Sequence, residues 1–212
     1  MPKQRPDFSF ETAAFQRGVL RIVGVDEAGR GPLAGPVTAA AVRLNPERIP
    51  LGLNDSKQLS PNRRVSLAAQ LMEWAEVSVG HASVEEIDSL NILRASHLAM
   101  TRALGGLFPA PDHVLIDGNL IPRGLVLPAE AVVKGDARCL SIAAASIIAK
   151  VMRDRIMVDL AQQFPGYGWD RNAGYPTHEH RTALQDLGPT PHHRRSFRPV
   201  HNILYQEISL NR

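Results

Sequence analysis

The chain has 212 residues, of which 44% are hydrophobic and 21% are charged, and its formal net charge is +3. This composition is ordinary for a globular protein with one full core, and it excludes a low-complexity chain. A single cysteine excludes an internal disulfide and favours a reducing compartment. No stretch approaches the roughly 18 apolar residues of a membrane span. We therefore expect a cytoplasmic protein with no membrane association, whose mild positive charge suits a polyanionic partner.

The first part of the chain combines an irregular segment with a predicted hairpin. Residues 1–18 mix charges, prolines and scattered aromatic residues without a period, which predicts a flexible N-terminal arm. Apolar runs at residues 22–26 and 37–44 predict two strands that pair around a glycine-rich turn.

Two N-capping patterns predict helices in the middle of the chain. Ser60 stands before a proline, and Ser83 precedes Glu86 by three residues. The alternating residues 77–81 between them predict a half-exposed strand. The helical stripe that follows Ser83 is expected to run unbroken to Gly105.

The second half of the chain alternates strands with helices. Apolar runs at residues 113–116 and 131–133 predict strands buried on both faces. A long helix follows and ends at residues 164–166, and a shorter helix runs from Thr177 to near Gly188. This order predicts an α/β fold, in which an antiparallel hairpin joins parallel strands in one mixed sheet flanked by helices.

Acidic residues follow three of the predicted strands. They are Asp26, Asp117 and Asp136, and Glu27 adjoins the first of them. Sites in such sheets form beyond the carboxyl ends of the strands, so we expect these carboxylates to meet. Their repulsion is relieved by a divalent cation, and a donor set of oxygen atoms alone suits Mg2+ or Mn2+. Two such ions, about 3.5–4 Å apart, can hold an attacking water and a leaving oxygen on one phosphorus.

Each of these acidic residues also has a structural interpretation. Asp26 and Glu27 could form a solvated turn. Because successive strand residues point to opposite faces, both side chains reach one site only if the strand ends or bulges there. Asp117 precedes a glycine and could form an Asx turn. Asp136 could be the N-cap of the long helix.

Asp154 is a rival ligand on the predicted inner stripe of the long helix. Lys150 lies one turn earlier, where the two side chains can form an ion pair. We therefore predict that Asp154 is structural and lies deep behind the site.

Several cations suit contacts with a nucleic-acid backbone. Arg30 in the glycine turn, Lys57 and Lys134 are candidate phosphate contacts. Arg194 and Arg195 lie close to an aromatic residue, which favours nucleic-acid contact over a merely solvated charge run.

Tyr175 is an aromatic residue in a loop, between a glycine and a proline. It could pack on the surface, or it could stack on a nucleotide and direct its hydroxyl at a ribose 2′-OH. Four histidines lie nearby in sequence, at positions 178, 180, 192 and 193. Their spacing fits no standard zinc site, so we expect them to be solvated or to face phosphates.

Eight motifs together resemble the ribonuclease HII family. They are DEAGRG at 26–31, GPLAGPV at 31–37, NDSK at 54–57, LIDGN at 115–119, VVKGD at 132–136, AASIIAKVMRD at 144–154, GYPT at 174–177 and HHRRSF at 192–197. The DEAGRG form resembles type HII rather than type HIII, which carries an extra N-terminal domain. The resemblance implies a ribonuclease H-like catalytic domain at residues 19–190, with a small basic helical extension at residues 191–212 packed on it.

The resemblance also implies roles for individual residues. The four acidic positions that hold two Mg2+ or Mn2+ ions fall on Asp26, Glu27, Asp117 and Asp136. The element that senses the 2′-OH falls on Gly29, Arg30, Gly31 and Tyr175, and the phosphate-contacting lysine falls on Lys57. The chain departs from the family pattern at Ala143, where a serine is usual. We expect Ser141 or Asp136 to supply any capping there.

The activity implied by the resemblance is that of a metal-dependent endonuclease. It would hydrolyse the RNA strand of RNA–DNA hybrids and cut 5′ to a single ribonucleotide in duplex DNA. It would leave a 3′-hydroxyl and a 5′-phosphate by a two-metal-ion mechanism. The alternatives are a non-catalytic hybrid-binding module and a ribonuclease H-like DNA nuclease. We expect a monomer, because no exposed apolar stripe stands out.

Overall fold

The structure, a computed structural model, describes residues 5–206 and is built on a mixed sheet. The strands are β1 (Ile22–Ala28), β2 (Val37–Arg43), β3 (Glu76–Ala82), β4 (His113–Asp117) and β5 (Ala129–Val132). Their order in the sheet is β3-β2-β1-β4-β5. β1 pairs antiparallel with β2 and parallel with β4, and β5 continues the parallel half. The predicted mixed sheet is confirmed.

Helices cover both faces of the sheet. They are α1 (Ser9–Gln16), α2 (Pro61–Trp74), α3 (Val84–Leu90), α4 (Ile92–Gly105), α5 (Leu140–Gln163), α6 (Trp169–Asn172), α7 (His178–Leu187) and α8 (Arg198–Gln206). One core lies between the sheet and α3–α4, and the other lies between the sheet and α1, α2 and α5. In the described part of the chain, no helix is both long and apolar enough to cross a membrane.

The start of α5 lies directly against β1 because β1 has a glycine there. A Cβ atom on Gly24 would lie 2.2 Å from the carbonyl carbon of Ser141, so only glycine fits. A run of buried alanines in α5, residues 143–145, keeps the rest of the contact close. This close packing brings the first turns of α5 next to the strand that carries Asp26.

The predicted caps are present, but the predicted long stripe after Ser83 is interrupted. Ser83 and Glu86 form a complete capping box, and the Ser60 hydroxyl accepts the N–H of Arg63 at 3.3 Å. Asn91 has a φ of 70° and separates α3 from α4. Its side chain caps α4, a role that asparagine fills well because it tolerates positive φ.

The prediction of a flexible arm at residues 1–18 is wrong for residues 5–18, which the structure describes. Residues 9–16 form α1, and the Glu11 carboxylate is buried against the start of α5. It accepts hydrogen bonds from the backbone N–H of Ser141 at 2.8 Å and from the thiol of Cys139 at 3.1 Å. Contrary to our expectation, neither Ser141 nor Asp136 caps α5. The cap comes from a distant helix, and local sequence gave no sign of it.

The C-terminal segment returns to the glycine turn. Val200 of α8 is buried with Leu33 and Leu184, so α8 packs on the loop that follows the turn and on α7. Residues 207–212 of the predicted extension lie outside the described residues.

Candidate active site

Three of the four predicted acidic residues meet at one edge of the sheet. Asp26 lies near the end of β1, Asp117 ends β4, and Asp136 lies in the short 3-10 turn Gly135–Ala137 after β5. Each offers a carboxylate oxygen within 4.8 Å of the other two. Parallel pairing of β1, β4 and β5 aligns their carboxyl ends, which is why residues distant in sequence converge here.

Backbone hydrogen bonds hold this acidic cluster in place. The Asp117 carboxylate accepts the N–H of Gly135 at 2.7 Å, which ties the end of β4 to the turn that carries Asp136. A Cβ atom on Gly135 would lie 2.5 Å from the Ile142 side chain, so a side chain there would displace the turn. Asp136 is not the N-cap of α5, because that position belongs to Cys139.

Burial and neighbouring negative charges raise the pKa values of Asp26 and Asp136. Burial raises the pKa of Asp26 well above its ordinary value, and the charges of Glu27 and Asp117 raise it further. Burial also raises the pKa of Asp136, with Asp117 and Asp55 adding to the effect. A divalent cation would offset this repulsion, and carboxylate oxygens are the ligands that Mg2+ and Mn2+ prefer. The residues present therefore fit such an ion.

Glu27, the fourth predicted acidic residue, lies beside this cluster but not within it. Its carboxylate is 3.2 Å from the guanidinium of Arg30. Burial raises the pKa of Glu27, and the charge of Arg30 partly offsets the rise. The alternation of side chains along β1 explains why two adjacent acids do not point the same way.

Lys57 lies at the rim of the acidic cluster. Its ammonium is 3.7 Å from the Asp136 carboxylate and 4.0 Å from that of Asp55, and the side chain is 78% exposed. The turn that carries it is tied to α5 by a 2.9 Å hydrogen bond between Ser146 and Ser56. The lysine is thus free to reach a ligand that approaches from solvent.

The ring of Tyr175 packs over the glycine turn. A Cβ atom on Gly31 would lie 3.4 Å from the Tyr175 ring, and the tyrosine remains 42% exposed. Lys150 lies 6.0 Å from the ring centroid and forms the predicted ion pair with Asp154 at 2.8 Å. Asp154 is not deep behind the site, however, since a third of its side chain is exposed.

The side chain of Arg194 is buried, so the predicted direct contact with nucleic acid is wrong for this residue. It donates hydrogen bonds to the backbone carbonyls of residues 29, 30, 35 and 36, at 2.6 to 3.2 Å. Arg195 is exposed and remains available to a ligand. Burial and the neighbouring Arg153 lower the pKa of Arg194 to about 9.

Arg153 of α5 is a second buried arginine, which sequence reasoning missed. It donates to the carbonyls of residues 34, 36 and 173, and burial lowers its pKa to about 10. No carboxylate of the described residues lies within 4.0 Å of either guanidinium. The available signal was its spacing with Met157 and Leu160, which are also buried. The inner stripe that the sequence predicts for α5 is buried at Ala144, Ile147, Ile148 and Val151, but its last member, Val158, is exposed.

These hydrogen bonds fix the direction of the peptide groups in the glycine turn. Arg194 binds the carbonyls of Gly29 and Arg30, and in a planar trans peptide the following N–H points the opposite way. The N–H groups of Arg30 and Gly31 therefore face away from Arg194. Among the described residues, neither N–H has a hydrogen-bond partner. The turn thus offers two free donors beside Tyr175.

Two of the four histidines are buried, contrary to our expectation that they would be solvated. His180 lies 3.0 Å from the carbonyl oxygen of Tyr175 and accepts a hydrogen bond from the Trp169 indole. His193 lies 3.1 Å from His180 and accepts the N–H of Thr190. Burial lowers the pKa of His193 to about 3 and also lowers the pKa of His180, which favours the neutral form of both rings behind the tyrosine loop.

Comparison with known proteins agrees with this geometry. The family model described as Ribonuclease HII matches residues 23–200. Ribonuclease HII of Cereibacter sphaeroides is 71% identical over 206 residues, which cover 97% of each chain. That of Ruegeria sp. is 70% identical over 95% of this chain and 88% of its own.

A solved structure supports the same assignment. The ribonuclease H2 from Pyrococcus horikoshii superposes with a TM-score of 0.73 at 28% identity. The match covers 88% of this chain and 98% of that one. The chain therefore belongs to the ribonuclease HII family and is a hydrolytic endonuclease.

Proposed function

We propose that this enzyme hydrolyses the RNA strand of RNA–DNA hybrids and cuts 5′ to a single ribonucleotide embedded in duplex DNA. The products would carry a 3′-hydroxyl and a 5′-phosphate. The observation that carries the proposal is the position of the three-aspartate cluster next to a glycine turn with outward N–H groups. The aspartate cluster can act on a phosphodiester, and the glycine turn can recognise the ribose beside it.

Asp26, Asp117 and Asp136 would hold the two Mg2+ or Mn2+ ions, with Glu27 as a further ligand. When bound, such ions lower the pKa of an attacking water and neutralise charge on the departing 3′-oxygen. The protein itself provides the aligned strand ends that keep these carboxylates together. No protein nucleophile is required.

The remaining site residues would select and position the substrate. The N–H groups of Arg30 and Gly31 and the hydroxyl of Tyr175 would bind the 2′-OH, which only RNA has. The packing of the Tyr175 ring against Gly31 supports this assignment. Arg30 and the flexible ammonium of Lys57 would contact phosphates near the cleaved bond. Lys134, which is exposed and lies two residues before Asp136, would contact a phosphate near the cleaved bond. Arg195, which is also exposed, would contact a phosphate farther away.

One assay with three duplexes tests this proposal. A duplex with one embedded ribonucleotide and an RNA–DNA hybrid should both be cut in Mg2+ or Mn2+, while an all-DNA duplex should stay intact. Extension of the upstream product by a DNA polymerase would verify the 3′-hydroxyl. Efficient cutting of the all-DNA duplex would favour the DNA-nuclease alternative and overturn the proposal. The non-catalytic alternative is already disfavoured by membership of an enzyme family.

A monomeric state and a cytoplasmic location stay predictions. Light scattering coupled to size exclusion would measure the mass in solution, which for one chain is 23.2 kDa. Fractionation of cells of the source organism would test the location.

A further inference from the structure

A basic groove lies beside the acidic cluster, between the N-terminal segment and the two turns that carry Lys57 and Asp136. Its volume is about 440 Å³. It is lined by Arg5, Asn54, Asp55, Gln58, Lys134, Ala137 and Arg138. Of its three cations, only Lys134 was predicted from the sequence as a phosphate contact.

The groove is continuous with the acidic cluster. Asp55 lines the groove and lies 4.0 Å from the ammonium of Lys57, which in turn lies 3.7 Å from Asp136. Lys134 and Ala137, which also line the groove, flank Asp136 in the chain. A strand that passes Asp136 would therefore run directly into the groove.

The groove carries a net positive charge that the protein leaves unpaired. Among the described residues, no carboxylate lies within 4.0 Å of Arg5, Lys134 or Arg138 as an ion-pair partner. The one acid that lines it, Asp55, already accepts the backbone N–H of Lys57 at 2.9 Å. Three cations against one engaged carboxylate favour an anionic ligand.

Contacts with the N-terminal segment hold the guanidinium of Arg138 and fix the backbone next to Arg5. The Arg138 guanidinium lies 5.1 Å above the Phe10 ring of α1 and donates to the carbonyl of Val133 at 3.1 Å. Near Arg5, the backbone of Asp7 forms hydrogen bonds with the backbone of Arg138 and Leu140 at 3.2 and 3.1 Å, so the chain beside Arg5 is held against the start of α5. The Arg138 guanidinium is thus positioned before any ligand arrives, which lowers the entropy lost on binding.

The backbone at Lys134 is a further indication. Its φ of 56° is left-handed, a conformation in which glycine or asparagine would be less strained. Residues in strained conformations concentrate at functional sites. A functional role for its ammonium, namely binding an anion in the groove, would explain why a lysine occupies this position.

We propose that this groove binds the phosphodiester backbone of the substrate strand next to the cleaved bond, with Arg5, Lys134 and Arg138 as phosphate contacts. The inference rests on the proposed function, because it takes the occupant of the groove to be the same strand that reaches the aspartates. It gives the N-terminal segment a role in substrate binding.

The test measures binding without cleavage. Affinity of the full-length protein for a fluorescent duplex with one embedded ribonucleotide is followed by anisotropy in EDTA, over a series of KCl concentrations. Arg5→Ala and Lys134→Asn should each weaken binding and reduce the slope of log K against log salt by about 1. Asparagine suits the left-handed backbone at position 134, so the second variant removes charge without adding strain.

Arg17→Ala is the matched control. Arg17 is an exposed cation of the same N-terminal segment, but it acts electrostatically on His113 at the start of β4, the opposite end of that strand from Asp117. Its loss should leave both affinity and slope unchanged. Unchanged slopes in Arg5→Ala and Lys134→Asn, or an equal loss in Arg17→Ala, would overturn the proposal.

A second measurement locates the contact on the substrate. A neutral methylphosphonate replaces one phosphate of the substrate at a time. At the phosphate that contacts Arg5, the replacement should weaken binding by the wild type. The same replacement should not weaken binding by Arg5→Ala any further. Additive losses at every position would contradict a direct contact. Failure of the wild type to cut the ribonucleotide in Mg2+ would sink the proposed function instead, and the binding slopes would still report on the groove.

Discussion

The guanidinium of Arg194 donates a hydrogen bond of 2.6 Å to the carbonyl oxygen of Gly29, 165 residues earlier in the chain. A buried cation without a carboxylate partner is expensive to desolvate, so its hydrogen bonds to backbone carbonyls must compensate. The result is a recognition turn whose N–H groups face the ligand side. In the proposed function, Arg194 would act on the substrate through this turn, because its buried side chain cannot touch a ligand in solvent.

Replacement of Arg194 by lysine should damage recognition more than folding. Lysine keeps the charge, but its ammonium donates from a single nitrogen atom, whereas the planar guanidinium donates from three. The lysine therefore cannot bind the carbonyls of Gly29, Arg30 and Gly35 together. We expect cleavage at a single ribonucleotide to fall about 10- to 100-fold, which corresponds to about 1.4–3 kcal/mol. Steady-state kinetics would measure this. Arg198→Lys, at an exposed arginine, is the control, and an equal effect there would contradict the assigned role.

Replacement of Gly29 by alanine should destabilise the protein and abolish most activity. The new Cβ atom would lie 2.0 Å from the Nε atom of Arg153, which three backbone carbonyls hold in place. Gly18 has a similar positive φ of 82° but nothing within 4 Å, so Gly18→Ala measures the backbone strain alone.

Denaturant unfolding would compare these two glycine variants. We expect Gly18→Ala to lose about 1 kcal/mol, and Gly29→Ala to lose a further 1–3 kcal/mol from the clash. Equal losses would show that the contact with Arg153 is not important.

Asp26→Asn should raise the thermal stability of the metal-free enzyme while it abolishes cleavage. Burial and neighbouring charges raise the pKa of Asp26, so its ionised form destabilises the fold. Its stabilising contribution is present at low pH and is lost as the pH rises through the folded-state pKa. In EDTA, the variant should therefore gain in Tm over wild type as the pH rises towards neutrality. A difference in Tm that stayed constant across that range would show that ionisation of Asp26 is not the cause.

His193 should make the enzyme sensitive to acid. Burial lowers its pKa from 6.5 to about 3, so the unfolded chain takes up a proton that the fold excludes. The stability it contributes is present above about pH 6.5 and is lost as the pH falls towards 3. The loss approaches about 1.4 kcal/mol per pH unit.

His193→Gln should therefore lose less stability than wild type in that acid range, as measured by urea unfolding at a series of pH values. His178→Gln, at an exposed histidine of α7, should behave like wild type. If both variants followed the wild-type curve, the acid sensitivity would have to come from other groups.

The acidic cluster could be predicted from sequence because its signal is local. Asp26 and Asp117 each follow an apolar run, and a charge at the end of a buried strand is costly unless it has a partner or a function. Parallel pairing then brings the strand ends together. The sequence could not predict that Glu27 would turn to Arg30, because this depends on the exact end of β1.

The buried polar residues could not be predicted in the same way. Arg153, Arg194, His180 and His193 bind backbone carbonyls or one another, and such partners leave no pattern of complementary charges in the sequence. Arginine and histidine side chains are usually exposed, so the residue type alone predicts that these four side chains lie at the surface. Helix α1 was missed for a related reason, since Glu11 caps a helix more than a hundred residues away.

Because the glycine turn depends on Arg194, it cannot be ordered until that residue has been synthesised. A nascent chain that has exposed every acidic residue of the site still lacks the guanidinium that orders residues 29–31. We therefore expect ribosome-bound chains to gain nuclease activity only after position 194 has left the exit tunnel. A chain that terminates before position 194 should therefore have no nuclease activity, and it should not cleave nucleic acids without selectivity.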